Sequence, residues 1–229
     1  MQGSSGPNGT SRRGAWGVVA VVLLVGIHLV QTGTEEWRAG GPPQPVAAAA
    51  PDRAVAAAAP DRASGVAAPE RDTAPGPLPA SRPLRVRVPA VRIDAPVTEV
   101  GRDAEGRIDT PPAYERNLAG WYTGAVTPGE RGTAVVVGHV DTPDGRAVFY
   151  DLGALDKGHR VEIARKDGRT AVFSVYGVEL VPKEGFPAER VYKGGTLSEL
   201  RLITCGGDFS RQRGYAGNVV VSARLVAVR

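Results

Sequence analysis

Beyond Leu84 the apolar and polar residues fall into short runs broken by turn-forming residues. LRVRV (84–88) and APVTEV (95–100) alternate with period two, the repeat of a strand with one buried face. TAVVVGHV (133–140) is apolar almost throughout, as a strand covered on both faces requires. RVEIA (160–164), TAVFSVYGVELV (170–181), LRLITC (200–205) and NVVVSARLVAV (218–228) continue the series, with DAEG, TPGERG, KDGR and KGG as turn signals between them. Only two short segments, 147–155 and 187–192, read as helical. The pattern predicts an all-β barrel or sandwich forming one domain over 84–229.

The front third has a different texture. Residues 1–13 are Gly/Ser-rich and end in Arg12-Arg13, so they read as a short cytoplasmic tail. The run AWGVVAVVLLVGIHLV (15–30) follows, and a span over 14–33 reaches the roughly 17–25 residues of a membrane-crossing helix. Arginines before it and Glu35-Glu36 after it orient the N-terminus inward. A cleaved signal peptide would need a small-residue site after the apolar stretch. QTGTEEW offers none, so the span reads as an uncleaved anchor, with His28 near its outer end. Residues 34–83 are Ala/Pro-rich, repeat PDRA at 51–54 and 60–63, and include LPAS at 78–81. Such a composition predicts an extended, disordered, semi-rigid linker outside the membrane.

Composition narrows the chemistry. A formal net charge of +4, with few aromatics among scattered basic residues, argues against a nucleic-acid platform. A single cysteine excludes an internal disulfide framework and a Cys-rich zinc site, and no acidic cluster suggests calcium. No metal or cofactor is expected. Beyond an export signal, an unpaired thiol is a liability unless it is buried or used.

Cys205 closes the strand LRLITC and is followed by Gly206-Gly207, which would expose its sulfur and leave backbone N–H groups for an oxyanion. Taken alone, such a cysteine reads as a small core residue. A thiol with an unperturbed pKa near 8.5 needs a partner to act as a nucleophile. Of the three histidines, His28 lies in the anchor and His159 in a KGHR turn; His139, at the end of VVVGHV, is the one well placed. A positive group is also expected, and Arg211 and Arg213 lie in the following loop, where they read equally well as solvated turn residues.

GHVDT (138–142) and LITCGGDF (202–209), in this order, resemble the Gly-His and T-L-x-T-C motifs of the sortase family, in the Cys-Gly-Gly form of its class F enzymes from actinobacteria. Arg201 stands at the first Thr of that motif, and Asn218 at the position before the last strand where many sortases carry an arginine. The resemblance implies an eight-stranded barrel whose Cys205 attacks the Thr–Gly carbonyl of an LPxTG-like sorting signal. His139 would be the acid and base, Gly206 N–H and an arginine the oxyanion donors, and Thr204 and Asn218 substrate support. Arg213 takes the arginine role by proximity, with Arg211 the alternative. The acceptor would be an amine of peptidoglycan or lipid II, and the catalytic domain would be a monomer displayed outside the cell membrane.

Two other readings share the residues. A thiol hydrolase would release the same acyl-enzyme to water, and a non-catalytic wall-binding barrel would bury Cys205 inertly. The C-G-S-C-W signature of papain-type enzymes and the Ser-His-Gly-Cys of L,D-transpeptidases are both absent.

Overall fold

A computed structural model describes residues 41–45, 75–193 and 195–229. The anchor expected at 14–33 lies outside the described residues, among which no helix is long and apolar enough to cross a membrane. Residues 42–229 cluster into one compact unit.

Its centre is a closed eight-stranded barrel. The strands are β1 (Pro83–Val88), β2 (Ile93–Val100), β3 (Ala119–Tyr122), β4 (Gly132–Gly138), β7 (Arg160–Arg165), β8 (Thr170–Pro182), β9 (Ser198–Ser210) and β10 (Gly214–Val228). They are ordered β1-β2-β3-β4-β9-β10-β8-β7, and β7 pairs again with β1. A small hairpin, β5 (Asp141–Thr142) with β6 (Gly145–Arg146), stands apart from the barrel. The expected helical segments appear as a 3-10 turn at Tyr150–Ala154 and a helix α1 at Ala188–Tyr192. The barrel therefore agrees with the sequence expectation. It adds β3 and the β5–β6 hairpin, whose short, Gly-containing segments carry too little periodicity to announce themselves.

β4 is buried along its length, and its alternate residues serve two different clusters. Ala134 and Val136 join the barrel interior with Leu200, Leu202, Val219, Val221 and Phe173. Val135 and Val137 face outward, into a second cluster with Ile203, Val220, Val181 and Val191 of α1. This explains why TAVVVGHV lacks alternation, since both faces of the strand are apolar-covered.

Part of the predicted linker packs on this unit. Leu78 lies against the interior cluster, and its N–H donates to the Gly129 carbonyl at 2.8 Å. Arg165, 2% exposed, donates to the carbonyls of Pro79 and Pro128 and pairs with Asp167 at 3.0 Å. Those bonds satisfy a buried guanidinium, whose donors would otherwise be costly. They also fasten the chain that enters β1.

Candidate active site

β4 and β9 run parallel, with Val136 paired to Leu202 and Val137 to Ile203. β4 ends at Gly138, whose carbonyl accepts from Thr204 Oγ1, so His139 leaves β4 at the end where Cys205 follows Thr204 on β9. On the other side of β9, antiparallel β10 places Asn218 directly opposite Cys205. The result is a row at one end of the barrel: His139 just past β4, Cys205 on β9 and Asn218 on β10. Partners in register share a face, and faces alternate along each strand. The row therefore continues the outward face carrying Val137, Ile203 and Val220.

That face is graded along its length. Its far end holds Thr133, Glu199 and Arg201, where Arg201 pairs with Glu199 at 2.9 Å and the Tyr176 hydroxyl donates to Glu199 at 2.9 Å. Arg201, at the family's threonine position, is thus a buried, satisfied residue. The middle is apolar, joined by Val191 and packed by Phe186, Tyr192, Ile108 and Tyr122. The near end is the row of site residues.

Several contacts fix the row. His139 Nε2 lies 2.7 Å from the Pro111 carbonyl, and the His139 carbonyl accepts the Phe149 N–H at 3.0 Å. A carbonyl only accepts, so Nε2 carries a proton in this contact and Nδ1 is the ring's other nitrogen. Thr204 is buried, and its Oγ1 donates to the Gly138 carbonyl at 2.8 Å, tying β9 to the residue preceding His139. Gly138 has no alternative here. A Cβ would stand 2.6 Å from the Phe149 ring and 2.7 Å from Val148. Cys205 is unpaired and half-buried.

The structure does not bring Arg211 or Arg213 to this row. β9 and β10 stay paired past Asn218 as far as Gly214 and Ser210, so the hairpin carries its turn outward. Gly214 lies four residues before Asn218, roughly 13 Å at a strand's rise of about 3.3 Å per residue. Both arginines are exposed on the turn, where the Arg213 N–H donates to Ser210 Oγ at 3.1 Å.

Other residues enter that sequence reasoning did not single out. The Tyr215 hydroxyl donates to Asp141 Oδ2 at 2.5 Å. Burial, and then that bond, push the phenol well above its ordinary pKa, with the charges of Tyr150 and Cys205 adding to the effect. Tyr215 therefore stands close to the cysteine as a neutral donor, joining β10 to the β5–β6 hairpin. Asp141 was visible in GHVDT, two residues after His139. Pro111, 28 residues before His139, gave no signal.

An unpaired cysteine and a histidine thus lie at the same end of neighbouring strands of a closed barrel, beyond an apolar face. Residues 86–226 match the Sortase domain, and the chain belongs to the sortase family, whose members are cysteine transpeptidases. Among solved structures it is similar to sortase C-1 from Actinomyces oris, at 20% identity over 62% of this chain and 73% of that one, with a TM-score of 0.49. It is also similar to a lid mutant of sortase A from Corynebacterium diphtheriae, at 19% identity over 65% and 73%, TM-score 0.49. A third is the Clostridium perfringens sortase D5 transpeptidase, at 16% identity over 62% and 78%, TM-score 0.46. No curated protein matches the chain.

Proposed function

We propose that this sortase is a membrane-anchored transpeptidase of class F type. It would cleave an LPxTG-like signal between Thr and Gly and join the acyl part to an amine of peptidoglycan or lipid II. The observation that carries the reading is the His139–Cys205–Asn218 row at the end of an apolar face. An extended peptide could lay apolar side chains on Val137, Ile203 and Val220 while its scissile carbonyl reaches Cys205.

The chemistry follows from that placement. The Cys205 thiolate attacks the Thr carbonyl carbon, forming a C–S bond and a tetrahedral oxyanion. The Gly206 N–H and the Asn218 carboxamide would be the donors to that oxygen, and a preorganised donor there acts on the transition state. His139, protonated at Nδ1, gives its proton to the departing Gly nitrogen as the C–N bond breaks, leaving a thioester. The acceptor amine then attacks the thioester, loses a proton to His139, and the C–S bond breaks to return the thiolate. In this reading Asn218 takes the side-chain donor role, because it lies opposite Cys205 while Arg211 and Arg213 are exposed on the turn.

The test is a mass measurement. Incubation with an LPxTG-type peptide is expected to add the acyl fragment's mass to wild type and not to Cys205→Ala. Adding an amine should convert that adduct to an amide product. An unmodified wild-type protein would refute the reading, and hydrolysed peptide alone in the presence of amine would make the protein a thiol hydrolase.

A further inference from the structure

A cavity of about 400 Å³ opens between the turn before β2, the loop before β3 and the segment around the β5–β6 hairpin. Arg92, Arg116 and Arg146 line it, one from each of those three segments, together with Asn117, Val148 and Asp151. The arginines are held by neutral groups. Arg116 Nη1 donates to the Asp144 carbonyl at 3.0 Å, and the Arg146 guanidinium sits over the Tyr150 ring, 4.3 Å from its centroid. Such partners position a guanidinium without neutralising it. Asp94, the acid nearest Arg92 in sequence, is taken by Arg85 and Arg87. Elsewhere arginines end on carboxylates, as Arg107 does on Asp103 and Arg190 on Glu179. Among the described residues none of the three cavity arginines forms an ion pair.

Arg92 carries a second mark. At φ +55° it is the one non-glycine residue in the left-handed region among the described residues, a conformation that glycine takes at least cost. Its N–H closes the 3-10 turn Pro89–Val91 on the Pro89 carbonyl at 3.1 Å. That turn needs the backbone conformation and makes no use of the side chain. A side chain kept at such a position suits a ligand contact. The wall around it is fixed. The Val148 N–H donates to the Arg116 carbonyl at 2.8 Å, the Ala147 N–H to Val140 at 3.0 Å, and Asn117 Nδ2 to the Asp94 carbonyl at 3.2 Å. Phe149, one residue beyond that wall, bonds the His139 carbonyl. The cavity therefore stands at the same end of the barrel as the row and shares no residue with it.

We propose that this cavity binds a phosphate monoester of a hydroxyl-bearing alcohol, with Arg92, Arg116 and Arg146 on the phosphate. Three guanidiniums against the single carboxylate of Asp151 leave two positive charges. A phosphate monoester balances them near neutral pH, because its second pKa is about 6. Forks arriving from three segments suit a tetrahedral group whose oxygens point apart, whereas a planar carboxylate offers one edge. Asp151, half-buried beside them, accepts from a hydroxyl of the alcohol part. All three arginines are exposed, so the ligand enters from solvent. A lipid headgroup and a soluble polyol phosphate share this chemistry. The site does not depend on the transpeptidase reading, since no residue of the row belongs to it.

The experiment is calorimetric titration of the full-length chain in neutral detergent, above the phosphate's second pKa of about 6 and at fixed ionic strength. The probes are glycerol 3-phosphate, dihexanoyl phosphatidic acid, acetate and tetraglutamate, with dihexanoyl phosphatidylcholine as the lipid blank. Both phosphate compounds are expected to bind with a Kd of about 1 mM or tighter, and acetate and tetraglutamate about tenfold more weakly. Arg92→Gly and Arg146→Gln should each weaken phosphate binding about 10- to 150-fold, the range of a charge-assisted hydrogen bond. Arg160→Gln, exposed on β7, removes the same charge and should stay within about twofold. Glycine takes φ +55° without strain, so Arg92→Gly should hold its thermal midpoint, which separates lost binding from lost folding. Tighter binding of phosphatidic acid than of glycerol 3-phosphate would support the site and assign it to a lipid headgroup; equal binding would support it and assign it to a soluble ester. No phosphate binding, an equal loss in Arg160→Gln, or tighter binding of tetraglutamate would overturn the proposal.

Discussion

The two faces of β9 do different work with the same backbone. Leu200, Leu202 and Thr204 point inward, fully or almost fully buried against strands on every side. Glu199, Arg201, Ile203 and Cys205 point outward, beginning in a satisfied ion pair, passing through an apolar middle and ending on a thiol. Inward residues fix where the strand lies, and outward residues use that fixed position. If the outward face takes substrate as proposed, the site's precision comes from the face that never meets it.

The largest effects should separate the faces cleanly. Cys205→Ala is expected to abolish turnover and leave the thermal midpoint nearly unchanged, because the thiol is only half-buried. Leu202→Ala should do the reverse. Removing a fully buried leucine costs about 2–5 kcal/mol of stability, yet the folded fraction should still form the acyl adduct. Calorimetry beside a single-turnover assay checks both. A large loss of stability in Cys205→Ala would break the comparison.

Within the outward row, Asn218 and the hairpin arginines should differ by orders of magnitude. Asn218→Ala is expected to lower kcat about 10²–10³-fold, the usual effect of losing an oxyanion donor. Arg213→Ala and Arg211→Ala should stay within about threefold of wild type, as surface changes away from a site do. Steady-state kinetics on the three variants decides it, and a loss confined to Arg213→Ala would move the donor role to the hairpin.

Thr204 sharpens the comparison because it points inward and still bonds the residue that precedes His139. Thr204→Val removes its donation to the Gly138 carbonyl and leaves that buried acceptor without its partner, a cost of about 1–3 kcal/mol. The same bond holds the β4 end just before His139. Turnover should therefore fall at temperatures where the variant is still folded, with acyl-adduct formation slowed at constant KM. Measurement well below the variant's melting point separates the two effects.

This division also explains what could be read from the sequence. Runs such as LRVRV and LRLITC announce strands because alternation and β-branched residues act locally. His139 and Cys205 were legible because each ends such a run beside a glycine. Asn218 was legible as a departure from a motif, but its place opposite Cys205 is a matter of register, which no local pattern specifies. The place of Arg211 and Arg213 on an exposed turn has a related reason. Proximity in the loop says nothing about how far the β9–β10 pairing continues before it turns. The Pro111 contact with His139 and the Gln44 contact with Gly207 join residues 28 and 163 positions apart, and proline-rich composition hid the second within an apparent linker.

The smallest effect concerns the chain's entry into the barrel, far from the row, and tests whether the frame and the site can be perturbed separately. The hydrogen bond from Arg165, reinforced by the Arg169 backbone and both guanidinium charges, holds the Asp167 carboxyl down to about 2 from its ordinary 3.8. A carboxyl whose pKa falls on folding stabilises the folded state above its unfolded pKa and loses that contribution as pH drops through the folded one. The contribution of Asp167 is thus complete above pH 3.8 and fades toward pH 2. Asp167→Asn should unfold more readily than wild type at pH 6, and the gap should close steadily below pH 4, as followed by circular dichroism in an acid titration. Because Asp167 holds Arg165 against Pro79 and touches no residue of the row, the acyl-adduct rate at pH 7 should be unaltered. A slowed adduct in this variant would mean that the anchoring of residues 75–82 reaches the catalytic rim, and that the inward frame is less independent of the site than the two faces of β9 imply.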